Sequence, residues 1–185
     1  MITSAQIEVK NSLISNSKIQ ITFIKKYPLF KNMNNDYDNR KMILNFIKKQ
    51  KLAVISTINK ENNPESAVIA FAETDELELI FGTFQNTRKY QNLLHHHRVS
   101  FVIGWDEEQK ITIQYEGIAT EVKDQELEKC RKIHLQKNPS SKKYAFHPLQ
   151  RFFLVKPMWI RYSNLSSNPE EIFELIPNKN LYNFF

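Results

Sequence analysis

The 185-residue sequence holds three glycines and one cysteine, and each scarcity excludes a class of site. Gly82, Gly104 and Gly117 stand 22 and 13 positions apart, so no Walker loop, Rossmann fingerprint or kinase glycine loop can be written with them. A nucleotide bound by this chain is held by another device. Cys130 alone excludes a disulfide framework and any zinc site built on cysteine pairs, and it suits a reducing compartment. No apolar run approaches the roughly 18 residues of a membrane span, and the N-terminus lacks a signal-peptide core. The expectation is a soluble, cytoplasmic protein with no membrane partner, of a length that suits one compact domain.

Charge is present but local. The 26 basic and 20 acidic residues leave +6. Residues 123–151 alone carry eight cations (Lys123, Lys129, Arg131, Lys132, Lys137, Lys142, Lys143, Arg151) and three acids, which is +5 and leaves +1 elsewhere. A solvated helix face and loop explains such a stretch, so the net charge does not argue for nucleic acid as a partner.

Along the chain, residues 1–35 are rich in Asn, Ser and Lys, with one alternating stretch at Ile19, Ile21 and Phe23. They are expected to form a poorly ordered or peripheral extension, or to reflect a start codon placed upstream of Met33; the domain proper, 36–185, begins near Asp36. Asp36 or Asp38 caps a helix with the face Ile43, Phe46, Ile47 and cations at its C-terminal end. Strands are expected at Leu52 to Ile58, Ser66 to Ala72 and Glu76 to Phe81, the second apolar on both faces and therefore expected to be buried on both. A short helix with Tyr90, Leu93, Leu94 and His97 on one side follows. Val99 to Trp105 and Lys110 to Val122 read as strands around an acidic turn, with Gly117 marking a bulge or bend. Asp124 to Lys137 reads as a helix, and Arg151 to Val155 and Met158 to Ser163 as final strands interrupted at Pro157. Six or seven antiparallel strands with short helices between them predict a mainly β, closed or half-closed barrel.

The segment Phe81-Gly82-Thr83-Phe84-Gln85-Asn86-Thr87-Arg88-Lys89-Tyr90 joins a strand to a helix. Helix starts favour acids by about 0.3–1 kcal/mol, yet this first turn carries Arg88 and Lys89 and no carboxylate. Backbone N–H groups, the hydroxyls of Thr83 and Thr87 and two cations converge there, which suits an anion such as phosphate, and Gly82 admits a ligand close to the strand backbone. A solvent-facing Thr-Arg-Lys turn accounts for the same spacing equally well.

The strand order, the Thr-x-x-x-Thr-Arg-Lys-Tyr-x-x-Leu segment, Arg98-Val99-Ser100-Phe101 and Gln114-Tyr115-Glu116-Gly117-Ile118-Ala119 resemble the pyridoxamine 5′-phosphate oxidase-like flavoproteins over about residues 38–165. The resemblance implies an FMN-binding split β-barrel and a homodimer with FMN at the subunit interface, acting as an oxidoreductase on a small-molecule substrate. It implies that Phe81, Gly82, Thr83, Thr87, Arg88 and Lys89 form the phosphate segment, and that Val68, Ile69 and Ala70 lie against the isoalloxazine. Gln114 would reach the flavin from the partner chain, and Trp159 and Arg161 would close the pocket. True pyridoxamine-phosphate oxidases carry an Arg and a Lys on the second strand, where this chain reads Ala67-Val68-Ile69-Ala70-Phe71-Ala72; their C-terminal Arg-Trp and Arg-Leu-x-Pro elements are absent too. The implied chemistry is therefore flavin binding without a defined substrate.

Other residues suggest less. His95, His96 and His97 point about 100° apart on a helix, unlike helix-borne metal ligands at i and i+4, so no metal is expected. Cys130 shares a helix face with Leu127 and His134 and reads as a packed thiol. Trp105, Trp159, Phe152 and Phe153 read as core. A haem-handling split barrel is the alternative, with His134 or His147 as the axial ligand; a non-catalytic anion-binding dimer using the basic stretch ranks last.

Overall fold

A computed structural model describes residues 36–105 and 107–177. Helix α1 (Asp36–Lys49) opens them, with Asp36 and Asp38 in its first turn, Lys48 and Lys49 in its last, and Ile43, Phe46 and Ile47 buried, as its charge and apolar spacing dictate. Strands β1 (Leu52–Ile58), β2 (Pro64–Glu73) and β3 (Leu79–Phe84) form a meander. Helix α2 (Arg88–His95) leads to β4 (Arg98–Ile103) and β5 (Ile111–Glu121). Helix α3 (Asp124–Lys137), a 3₁₀ turn (Pro139–Ser141) and the one-turn helix α4 (Lys142–Ala145) precede β6 (Gln150–Asn164) and β7 (Glu171–Leu175).

The strands follow the order β3-β2-β1-β4-β5-β6-β7, every pair antiparallel, and β3 pairs back with β6. Six strands therefore close a barrel and β7 extends it, the split β-barrel the strand pattern predicts. Closure is the work of one long strand: Gln150 to Val155 of β6 pair with β3, while Ile160 to Asn164 pair with β7. Pro157 does not end that strand. It sits opposite Gly117, where the β5–β6 register shifts between Glu116 and Gly117, and the bulge removes the need for the proline's missing N–H. A Cβ on Gly117 would stand 2.6 Å from the Lys156 carbonyl oxygen, so this bulge requires glycine.

Alternation along each strand sends Phe71, Phe81, Phe101, Tyr115, Phe153 and Val155 into the barrel, where Phe81 stacks on Phe153 with centroids 5.4 Å apart. The buried Tyr115 hydroxyl lies within hydrogen-bond reach of the Leu77 and Val155 carbonyls, at 3.1 and 3.0 Å. Outside the barrel, α3 and α4 cover a smaller cluster of Ala72, Ile80, Val122, Cys130, Ala145, Phe152 and Leu154.

Several expectations need correction. The third strand begins at Leu79, not Glu76: Thr74 Oγ1 accepts from the Glu76 and Glu78 N–H groups, and Leu77, at φ +63°, turns its side chain inward from the tight turn. What looked like strand alternation is turn geometry. Trp105 is exposed, because it stands past the end of β4. The outer face of β2 is buried within the chain only at its end, where Ala72 joins the cluster under α3 and α4; Val68 is 61% exposed. The β7 strand lay outside the expected set. Residues 1–35, with the Ile19–Phe23 stretch, lie outside the described residues. Among the described residues no helix is long and apolar enough to cross a membrane.

Candidate functional site

Gly82, Thr83 and Phe84 end β3, and Thr87 caps α2 three residues later. The Thr87 hydroxyl donates to the Phe84 carbonyl (2.8 Å) and accepts the Tyr90 N–H (3.3 Å), while its own carbonyl takes the Gln91 N–H (3.2 Å). The N–H groups of Arg88 and Lys89 precede that first helical bond and project from the helix start. Since the Thr87 proton goes to Phe84, the 2.8 Å contact between the Thr83 and Thr87 hydroxyls is one in which Thr83 donates. Both hydroxyls are thus aligned by internal bonds, and Thr83 can redirect one proton toward an anion at the cost of a single neutral hydrogen bond.

Lys89 completes the constellation. It is half-buried, burial pushes its amine below the ordinary value of 10.5, and among the described residues no carboxylate pairs with it. A cation held out of water without a counter-charge is a standing invitation to an anion. It faces a cavity of about 350 Å³ whose floor is Val68, Ile69, Ala70 and Gly82 and whose walls include Thr83, Thr87, His134 and Tyr144. The β2–β3 hairpin brings the two separated segments of sequence together, since β2 and β3 are adjacent strands. At Gly82 a Cβ would come within 2.2 Å of Gln150 Nε2, so the glycine leaves room for that amide at the pocket floor.

Arg88 takes a different course. Its guanidinium pairs with Glu65 from β2, and it lines two neighbouring clefts, one of them shared with Lys89 and Glu65, but not the 350 Å³ cavity. The helix start therefore does meet a carboxylate, delivered across the fold from a strand 23 residues earlier. Phe81 also lies elsewhere: its side chain is fully buried inside the barrel, because alternation from Gly82 points it away from the cavity. Ile69 is buried on the same inner side.

Gln114, Trp159 and Arg161 are not in this pocket. Register places them on the outer barrel wall, in rows of directly opposed residues that share a face. One row runs Val68, Val54, Val102, Gln114, Arg161 from β2 through β1, β4 and β5 to β6; the next runs Ser66, Ser56, Ser100, Glu116, Trp159. Val68 and Gln114 are three strands apart, about 14 Å at ordinary strand spacing. Leu52, Val68 and Val102 are exposed on this wall. Trp159 Nε1 donates to Glu174 on β7 (3.0 Å).

His134, expected at a site only as a haem ligand, lines this cavity. It is 4% exposed and has a buried Nδ1 with no hydrogen-bond partner; burial lowers its pKa, so its imidazole is neutral at pH 7. The sequence signal available was its position four residues after Cys130 on the buried side of α3. Cys130 itself packs in the outer cluster, its thiol pushed up to about 11, mainly by burial. The basic stretch is partly neutralised, with Lys137 on Glu73, Arg131 on Glu128 and Arg151 on Glu121.

Residues 40–164 match the family model for pyridoxamine 5′-phosphate oxidase. Similar solved structures include a haem-binding protein from Mycobacterium smegmatis (TM-score 0.66, 14% identity, 75% of this chain and 58% of that one). The General Stress Protein 26 of Bacillus anthracis is another (0.57, 22%, 74% and 98%). So is HutZ, the haem storage protein of Vibrio cholerae (0.51, 15%, 63% and 88%). This chain thus spans less than two thirds of the mycobacterial protein, and all three likenesses concern the fold. No protein of curated function matches the sequence.

Proposed function

The chain belongs to the pyridoxamine 5′-phosphate oxidase family, and from that premise we propose that it binds FMN as a homodimer and serves as an oxidoreductase for a small-molecule substrate. The observation that carries this is the half-buried Lys89, with which no carboxylate pairs among the described residues, beside Thr83, Thr87 and the first N–H groups of α2. These groups fit a phosphate monoester. Lys89 supplies charge, the helix start supplies two N–H donors, and Thr83 supplies a hydroxyl. Arg88 stands at the rim, and Phe81 supports the site only through the barrel core. When bound, FMN supplies the hydride or electron transfer; the protein's residues bind, orient and exclude water.

The outer wall supports the dimer. A row of Val68, Val54 and Val102 facing water asks for cover, and a second copy laid on it would bring Gln114, Trp159 and Arg161 toward a ring resting on Val68 to Ala70. The missing C-terminal Arg-Trp and Arg-Leu-x-Pro elements argue for a substrate other than pyridoxamine phosphate, and the missing Arg and Lys of β2, where Val68 and Ala70 line the cavity, leave the flavin phosphate to Lys89 and the α2 start. A visible absorption spectrum of the purified protein, repeated after FMN addition and removal of excess, tests the cofactor. Retained flavin absorbance supports the proposal and a colourless protein overturns it. Sedimentation of wild type and Val68→Lys tests the dimer, which the buried lysine should dissociate.

Haem binding is the second reading, because His134 brings a neutral imidazole to the same cavity and two of the similar folds belong to haem proteins. The same spectrum separates the two, since haem would give a Soret band that His134→Ala shifts.

A further inference from the structure

Arg88 and Lys89 are adjacent cations at one helix start, yet the fold treats them oppositely. Lys89 faces the cavity with no carboxylate paired to it among the described residues, while Arg88 is drawn to Glu65 across a cleft that Lys89 also lines. The acid is the fixed member of that pair. Glu65 Oε1 also accepts from Asn59 Nδ2 (3.2 Å), and Oε2 accepts from Asn92 Nδ2 (2.9 Å). Asn92 is 5% exposed and its Nδ2 also donates to Thr57 Oγ1 (3.0 Å), so the carboxylate is anchored to β1, to the β1–β2 turn and to α2 at once. The Arg88 side chain is 82% exposed, held at its tip and free to swing along its length. A fixed anion holding a movable cation beside an anion pocket is a competitor for whatever enters that pocket.

We propose that Glu65 is an internal counter-anion that holds Arg88 out of the phosphate pocket and sets how tightly the pocket takes its ligand. This rests on the phosphate pocket of the preceding section and not on flavin. With Glu65 charged, Lys89 is the cation of the helix start that no carboxylate among the described residues pairs with; with Glu65 neutral, Arg88 joins it. An amide in place of the carboxylate keeps length and shape, and its oxygen still accepts from Asn59 or Asn92, while the hold on Arg88 falls.

The probes are inorganic pyrophosphate, FMN and riboflavin, titrated by calorimetry into full-length protein. Glu65→Gln should bind pyrophosphate and FMN about tenfold more tightly than wild type, with riboflavin affinity unchanged, the size expected when one charge-assisted hydrogen bond becomes available. Arg88→Gln, at an exposed side chain, should cost wild type less than about threefold for pyrophosphate and should cancel the gain in Glu65→Gln. Unchanged or weaker pyrophosphate binding in Glu65→Gln overturns the proposal. So does a loss of about tenfold or more from Arg88→Gln in wild type, which is measurable even where Glu65→Gln folds poorly. Should pyrophosphate bind and tighten in Glu65→Gln while FMN does not bind, the counter-anion stands and the flavin reading falls. Should neither protein bind pyrophosphate, the counter-anion falls as well.

Discussion

Replacing Lys89 with methionine should make the protein more stable and its cofactor site worse. The ammonium is half-buried, no carboxylate meets it among the described residues, and burial already pushes its proton affinity down. Methionine keeps the length of the chain and removes the charge, so the ligand-free protein should gain about 0.5–1 kcal/mol, the range usual when a functional compromise is relieved. For a chain of this length that is a rise in melting temperature of roughly 2–4 °C per kcal/mol. Binding should move the other way. A hydrogen bond to a charged group contributes about 1.5–3 kcal/mol, so FMN affinity should fall about tenfold to 150-fold, while riboflavin, which lacks the phosphate, should be unaffected. Flavin fluorescence quenching measures both ligands and thermal melts measure stability. The sign with pH is also set. The Lys89 amine titrates lower in the folded protein than in the unfolded chain, so the unfolded chain binds more protons just below 10.5 and wild-type stability should rise with pH there, a slope that Lys89→Met lacks. Equal losses for FMN and riboflavin, or a less stable Lys89→Met, would refute the assignment of Lys89 to a phosphate.

Three further outcomes are expected. His134 titrates below its ordinary value of 6.5 in the folded protein, so stability present above pH 6.5 should be lost as pH falls below it; His134→Phe should flatten that part of a melting-temperature profile, and an unchanged slope would remove His134 as its source. Cys130, the one cysteine, should resist a thiol reagent at pH 8 in native protein and react fully in guanidinium, because its thiol is buried and pushed up to about 11; fast native labelling would contradict its packing. Gly117→Ala should destabilise by about 1–3 kcal/mol in urea unfolding, since its Cβ meets the Lys156 carbonyl, whereas Gly82→Ala meets first the end of the Gln150 side chain and should cost less; equal costs would argue against a rigid bulge.

Much of the fold is legible in local pattern. The apolar face of α1, the alternation of β1, β4 and β5, the turn chemistry at Asn59 to Pro64 and the glycine at the β5 bend each state a local preference that the barrel satisfies. Where local reading failed, a neighbour decided. Glu76 to Glu78 alternate like a strand but are bent by Thr74, and Pro157 continues a strand because Gly117 opposite it bulges. Neither partner is visible from the segment itself.

For the site, sequence by itself determined the composition of the phosphate turn and the absence of any glycine loop, because a helix start, two hydroxyls and adjacent cations are contiguous in the chain. Tertiary structure alone decided how they are used. Closure of the sheet set Val68 to Ala70 beside Gly82, carried Gln114 and Arg161 around the wall to the far end of the Val68 row, and brought His134 in from α3. It also delivered Glu65 to Arg88 and, among the described residues, no carboxylate to Lys89. Spacing along a chain fixes which charges are neighbours in sequence, but electrostatic energy depends on distance and burial in space. Two adjacent cations thus became one paired residue and one left open for a ligand.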